Sequence, residues 1–439
     1  MSATRFLTNS IFVADFWPSL LDLPGFLQQF ITPIVKVTKG KRSHSFFSLP
    51  EYQNWLESTG NNGKGYSTKY YKGLGTSTSA EAKDYFSHLD LHEVHFGKLC
   101  QDLTFPENYE ELEDGDPMKK RIHGADMIDM VFRKDRVEDR KRWLNSTSRD
   151  AYMDYRKVTE VGGVQFSEFI NKEYIHFSNY DNERSIPNVI DGLKPSQRKV
   201  LFGCFKRKLK NEIKVAQLTG YIAEHSAYHH GEASLQQTII NMAQNFCGSN
   251  NVNLLTPSGQ FGTRRMGGKD AASPRYIFTS LEKVRRTRNF FFFITSANGC
   301  FLFLQITRTI FHPDDDGLLN YLEDDGVSIE PQYYVPVIPM VLVNGADGIG
   351  TGWSSTVSNY NPREVIANLR RKIEGSDFEP MIPYYSGFDG EVRFYGCYLL
   401  NLLMPPLFLC LLTCRFVLTS LQDCKRSKER GRVFGERKN

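Results

Sequence analysis

The residues best suited to chemistry lie in one stretch, Gly267-Gly268-Lys269-Asp270-Ala271-Ala272-Ser273-Pro274-Arg275-Tyr276-Ile277-Phe278. Adjacent glycines let a backbone approach a ligand closely. Pro274 blocks helix formation and holds the residue before it extended. Tyr276 follows at once, with Arg275 beside it. A neutral phenol is a weak nucleophile, so a neighbouring cation or metal must stabilise its oxyanion and the charge on an attacked phosphate. The pattern suits attack on a phosphodiester. Residue types alone favour the plainer reading, one of 21 tyrosines packing beside a strand.

A second stretch is Tyr228-His229-His230-Gly231-Glu232. Imidazole N–H groups at a helix start orient a phosphate together with the helix dipole. A metal would need further ligands that the spacing does not supply, and capping or packing is the alternative use. The third feature is a basic run from Lys194 to Lys214, with Arg198, Lys199, Lys206, Arg207, Lys208 and Lys210 against the single acid Glu212. Such a field favours a polyanion, because each neutralised phosphate releases condensed counterions. A solvated helix face has the same composition.

The elements that must position these residues follow from periodicity. Pro195 opens a helix with apolar positions Val200, Leu201, Cys204 and Phe205. A second short helix is predicted from Val215 to Ala223, and a third begins near Gly231 with Leu235, Ile239, Met242 and Phe246. Three helices followed by glycine-rich loops and a short strand suggest a helix-turn-helix of the winged type. Upstream, residues 11–60 read as an α/β segment: a helical stripe of Phe16, Trp17, Leu20, Leu21 and Leu23, a strand from Ile31 to Val37, and a helix opened by Pro50. Lys69 to Thr78 reads as a strand, a glycine turn and a cap for a helix carrying Ala80 to Phe86. Residues 97–125 read as a loop, 126–144 as a helix and 145–165 as a linker. Downstream, Tyr333 to Val343 is strand-like, with a turn at Asn344-Gly345.

A chain of 439 residues accommodates two to four domains, and its 40% hydrophobic and 24% charged content is ordinary for a globular protein. A net charge of +4 is too small to imply a nucleic-acid partner by itself. The eight cysteines form no CxxC pair and no zinc spacing, which fits reduced thiols in a nuclear or cytosolic protein. Met1 to Ser19 lacks the features of a secretory signal. Phe394 to Cys414 is uncharged, yet Pro405 and Pro406 sit in its middle, so a membrane segment is disfavoured.

Several runs in order resemble signatures of eukaryotic type IIA DNA topoisomerases: Arg184-Ser185-Ile186-Pro187, the stretch Asp191 to Phe202, Ala227 to Glu232, Gly259 to Arg264, and Gly268 to Tyr276. Lys72-Gly73-Leu74-Gly75-Thr76 resembles the end of that family's toprim domain, and Asn344 to Trp353 the stretch leading into its tower. The resemblance implies an α+β multidomain chain: a partial toprim-like α/β unit at 1–96, a linker and connecting helix at 97–165, a winged-helix (helix-turn-helix) cleavage domain at 166–325, and the beginning of a tower domain at 326–391. It further implies that Tyr276 forms a 5′-phosphotyrosyl link to one strand of double-stranded DNA while the other copy in a homodimer cuts the other strand. Arg275, His230 and His229 would act on the phosphate. Arg198, Lys199, Lys214, Asn241 and Lys269 would hold the backbone, and Ile349 would wedge between base pairs. No small-molecule substrate is expected, and the location implied is the nucleus.

The complete family enzyme uses Mg²⁺ and ATP, and neither set of ligands is expected in this chain. The family's Asp-x-Asp-x-Asp cluster would fall just before Phe16-Trp17-Pro18, where Met1 to Val13 holds no carboxylate. A phosphoryl transfer without those acids loses its charge clamp, so poor cleavage is expected of this chain alone, and a non-catalytic DNA-binding fragment is the alternative. Glu282 to Ile310 and the tail from 392 to 439 depart from the family pattern and resemble translated non-coding sequence.

Overall fold

The computed structural model describes residues 13, 16–21, 23, 25–40, 42–59, 63–71, 77–96, 124–147, 151–155, 164–282, 306–324 and 327–390. The Lys72–Thr76 run, the phenylalanine-rich stretch around 290–304 and the apolar and basic tail lie outside the described residues. Two compact units emerge, the first reaching Asn182 and including Gly350–Trp353, the second taking Glu183–Ile349 and the chain from Ser354.

In the first unit, β1 (Gln28–Phe30) pairs antiparallel with β5 (Glu93–His95). A separate antiparallel sheet places β2 (Val35–Lys39) between β3 (Arg42–Phe46) and β4 (Ser67–Tyr70). The period-two alternation of β2 buries Val35 and Val37 on one face, where Phe46, Tyr52, Trp55 and Tyr66 cover them. Pro50 sits in the first turn of α1 (Leu49–Ser58), whose N-cap is Ser48. Thr78 caps α2 (Ser79–Ser87) in a full capping box with Glu81.

The expected 31–37 strand begins only at Val35, because Pro33 offers no backbone donor. The Phe16, Trp17 and Leu23 stripe is no packed helix face: Phe16 and Pro18–Leu21 are helical among the described residues, and those three side chains are 64%, 51% and 52% exposed. The helix expected over 126–144 is broken into α3 (Gly124–Phe132) and α4 (Val137–Ser146) by a 3₁₀ turn. The linker reading fails at Met153, Tyr155 and Val164, which are buried with Phe96, Met130, Trp143, Phe166 and Phe169 in one core. From Phe166 the chain is helical through a π turn at Ile170–Tyr174 into α5 (Ile175–Ser185). The two units divide at Asn182 and Glu183, near the end of α5.

The second unit is built on α6 (Pro195–Lys206), α7 (Val215–His225) and α8 (Glu232–Ala243). Val200, Leu201, Cys204, Leu218, Ile222, Leu235 and Ile239 are fully buried where they meet. Phe246 falls beyond α8, which ends at Ala243. Between α6 and α7, β6 (Ile213–Lys214) pairs with β7 (Phe278–Thr279), and bridges at Leu255–Leu281 and Ser258–Phe278 extend this small sheet.

Two hairpins follow, β8 (Tyr321–Asp324) with β9 (Val327–Pro331) and β10 (Ala346–Ile349) with β11 (Ser354–Val357). The expected 333–343 strand is absent: Pro336 and Pro339 interrupt the ladder, and Met340–Val343 forms a short helix. The Asn344-Gly345 turn forms as expected, with Gly345 at φ 67°. Two ends of the expected insert belong to the core. Glu282 is 5% exposed and accepts from Asn253, while Thr307 is buried and donates to the Leu254 carbonyl.

Candidate nucleic-acid interface

Tyr276 sits on a turn that is fixed on both sides. Its own N–H donates to the Ser273 carbonyl at 2.9 Å. The Pro274 and Ile277 carbonyls accept from Ala216 and Val215 at 3.1 Å each, which ties the turn to the start of α7. Ile277 is an apolar anchor at 1% exposure, whereas the Tyr276 side chain is 75% exposed.

The preceding loop is equally well defined. Asp270 accepts from the Thr263 N–H and hydroxyl at 2.8 and 2.7 Å, and these bonds hold its carboxyl below the usual range. Gln244, buried at the end of α8, donates to the Phe261 and Gly268 carbonyls. Gly262 has φ 99°, and a Cβ there would lie 2.6 Å from the Gly268 Cα. Only glycine permits two backbone segments this close with that dihedral.

Cations lie near Tyr276 in sequence or across the β6–β7 ladder. Arg275 is adjacent, Lys269 is exposed on the same loop, and Lys214 pairs in register with Phe278, its ammonium 5.9 Å from that ring. Arg264 and Arg265 are exposed on the loop as well. Sequence reading did not single these two out as site residues; their place in a glycine-rich loop leading to Tyr276 was the available signal. Among the described residues none of these five cations has an ion-pair partner.

The histidines form a second cluster with different neighbours. Ala227 has φ 47°, an uncommon conformation for a residue with a Cβ, and it directs Tyr228-His229-His230 into the start of α8. His229 Nε2 lies 3.0 Å from Asp324 Oδ2. His230 is flanked by Arg184, His229 and Lys199; partial burial first, and then those cations, push its imidazole below the ordinary histidine range. It is therefore biased toward the neutral form in the DNA-free protein.

Two of the expected phosphate contacts have internal partners in this structure. Arg198 is 5% exposed and pairs with the fully buried Asp191 at 2.8 Å (Nε–Oδ2) and 3.2 Å (Nη2–Oδ1). Asp191 also accepts from the Leu193 and Tyr334 N–H groups, so this pair is internally satisfied and its guanidinium is not presented to solvent. Lys199 is 15% exposed and donates to the Ser226 carbonyl and to Glu330. Asn241 is exposed on α8 and accepts from Gln237. Ile349 is 83% exposed at the end of β10, and Gly348 beside it packs so closely on Ser185–Pro187 that a Cβ would lie 2.6 Å from the Ser185 carbonyl oxygen.

Among the described residues no group of three His, Cys, Asp or Glu side chains could hold a metal ion. The family's Mg²⁺ therefore has no fitting ligand set in this part of the molecule.

Beside this geometry, comparison with known proteins shows what the chain is similar to. Residues 184–291 and 302–398 match the family of the A-type subunit of DNA gyrase/topoisomerase IV, and residues 30–104 and 114–182 match the C-terminal associated domain of TOPRIM. The chain belongs to the type II DNA topoisomerase family, of which it represents a part.

Within that family it is similar to the DNA topoisomerase 2 of Plasmodium falciparum, at 50% identity over 385 residues, covering 88% of this chain and 24% of the relative. It is likewise 50% identical to the DNA topoisomerase 2 of Arabidopsis thaliana over 384 residues, covering 87% of this chain and 23% of that protein. The chain thus spans about a quarter of the length of these curated relatives. The crystal structure of the Plasmodium falciparum topoisomerase II DNA-binding, cleavage and re-ligation domain superimposes with a TM-score of 0.65 at 49% identity, covering 88% of this chain and 46% of that one. The family match resumes at residue 302, so most of the segment that looked foreign in the sequence lies within it.

Proposed function

We propose that this chain carries the DNA breakage and rejoining centre of a type IIA topoisomerase. The observation that carries the reading is the 75% exposure of Tyr276 on a turn anchored by Pro274 and Ile277. The Tyr276 oxygen attacks a backbone phosphorus, a 5′-phosphotyrosyl bond forms, and the P–O3′ bond breaks. The phenolic proton passes to water and the departing 3′ oxygen takes one up. Rejoining is the reverse, and because the ester conserves the bond energy, neither half consumes a nucleotide.

Arg275 steadies the phosphate, and Lys214 and Lys269 neutralise its neighbours. His230 and His229 contact the reacting or adjacent phosphate, Asn241 a backbone group, and Ile349 wedges between base pairs. The three helices and small sheet of residues 195–281 serve as the winged helix, and residues 326–391 as the beginning of the tower. The complete enzyme would be a nuclear homodimer acting on double-stranded DNA, drawing on Mg²⁺ and ATP through residues other than those described.

The lack of a fitting metal-ligand set among the described residues favours a second reading, a DNA-binding segment that does not cut. One experiment separates them. The full chain is incubated with supercoiled DNA and Mg²⁺, and protein–DNA adducts are trapped with denaturant. An adduct of low yield that disappears in Tyr276→Phe, with duplex affinity changed less than about twofold because one exposed hydroxyl is removed, supports cleavage. Binding without any adduct leaves only the second reading.

A further inference from the structure

We propose that Asp324 is a positioning residue for His229, and that the β8–β9 hairpin braces the histidine loop of the proposed DNA site. The inference rests on the DNA-site reading and adds a residue to it that lies 95 positions away in sequence.

The histidine loop is tied back to α7 by the Ser226 and Tyr228 N–H groups, which donate to the Ile222 and Ala223 carbonyls at 3.0 and 3.3 Å. It leaves α7 through Ala227 at φ 47°, a conformation that persists only where surrounding contacts enforce it. Its inner end is pinned by the buried Ser226, whose hydroxyl donates to the Ile222 carbonyl at 2.7 Å. Two polar links then join the loop to the hairpin, one of them through Lys199 of α6. At the base, Lys199 donates to the Ser226 carbonyl at 2.5 Å and to Glu330 of β9 at 2.8 Å, with the Glu330 side chain only 4% exposed. At the rim, Asp324 of β8 meets His229 Nε2 at 3.0 Å, the two side chains being 36% and 51% exposed. A carboxylate at Nε2 selects the tautomer with the proton on that nitrogen and fixes the ring plane, as outer carboxylates do for functional histidines elsewhere. Among the described residues, the charged groups near this loop include Arg184 from α5, Lys199 from α6, and Glu330 and Asp324 from the hairpin.

Plain electrostatics and positioning predict opposite signs here. Removing an acid from a polyanion site raises the local positive potential and should tighten DNA binding. If Asp324 positions His229, its removal weakens binding despite the added positive charge. The test measures affinity of the full chain for a short duplex at fixed salt, for Asp324→Ala, Asp324→Asn, His229→Ala and the double alanine variant. Long-range ¹H–¹⁵N imidazole spectra of the DNA-free protein follow the His229 tautomer in the single Asp324 variants. The expected results are a loss of about fivefold for Asp324→Ala, the scale of one ordinary net hydrogen bond, partial rescue in Asp324→Asn, and no further loss in the double variant beyond His229→Ala. The Nε2–H tautomer should dominate in the parent and become mixed in Asp324→Ala. Tighter binding by Asp324→Ala, or an unchanged tautomer, overturns the proposal. If instead the tautomer responds to Asp324 while His229→Ala leaves affinity unchanged, the positioning stands and the DNA role of His229 falls.

Discussion

A histidine among cations reports directly on the ligand it awaits. His230 is held below its ordinary value of 6.5 by burial and by Arg184, His229 and Lys199. The sign follows from linkage: the folded chain binds this proton less readily than the unfolded one, so acidification below pH 6.5 costs stability through this group. A bound phosphate offsets the same cations and should raise the His230 pKa. NMR titration with and without duplex checks this, and a value unmoved by DNA would place His230 away from the phosphate.

At the same scale, the Asp191–Arg198 pair is structural. Arg198→Ala should destabilise the chain by about 3–5 kcal/mol, the usual cost of orphaning a buried charge, as read by urea unfolding. The Arg198 result also shows where residue-level reading stops. Its motif is plain in the sequence, but its burial depends on Asp191 and on the Tyr334 N–H, 143 positions from that aspartate, and no local pattern encodes such a contact.

Elements were legible where the signal is local. Pro50 and Pro195 open helices as read, and the Ser/Thr cap before Ala80 resolves into the Thr78–Glu81 capping box. Glu81 accepts from Thr78 N–H, the Tyr71 hydroxyl and Lys69, which lower its carboxyl to about 2. This contribution is complete above pH 4.5 and is lost as pH falls toward 2. Glu81→Gln should therefore remove about 1–2 kcal/mol at neutral pH and flatten the acid limb of the stability curve. Illegible elements depended on partners: the 145–165 stretch looks polar, yet Met153, Tyr155 and Val164 fill a distant core. In the tyrosine loop, Gly268 has φ 82° and a Cβ there would collide with the Gln244 amide. Gly268→Ala should cost about 1–3 kcal/mol in urea unfolding and lower the yield of any DNA adduct, because the collision displaces the loop that presents Tyr276.

For the molecule as a whole, a net charge of +4 conceals a local concentration of cations. Lys214, Arg264, Arg265, Lys269 and Arg275 lie together near Tyr276 in sequence or across the β6–β7 ladder. If all five meet phosphates, log affinity should fall with log salt at a slope of about −4.5, and replacing Arg264 and Arg265 by glutamine should reduce the slope by about two.

The central claim is that the Tyr276 ring faces the duplex, and chemical protection tests it without depending on cleavage yield. In the free protein, nitration should modify Tyr276 well before Tyr174 and Tyr334, which are 4% and 3% exposed. Saturating duplex should slow nitration at Tyr276 at least about tenfold, as expected for a side chain removed from solvent in a desolvated interface. An unchanged rate at Tyr276 with DNA bound would contradict the account.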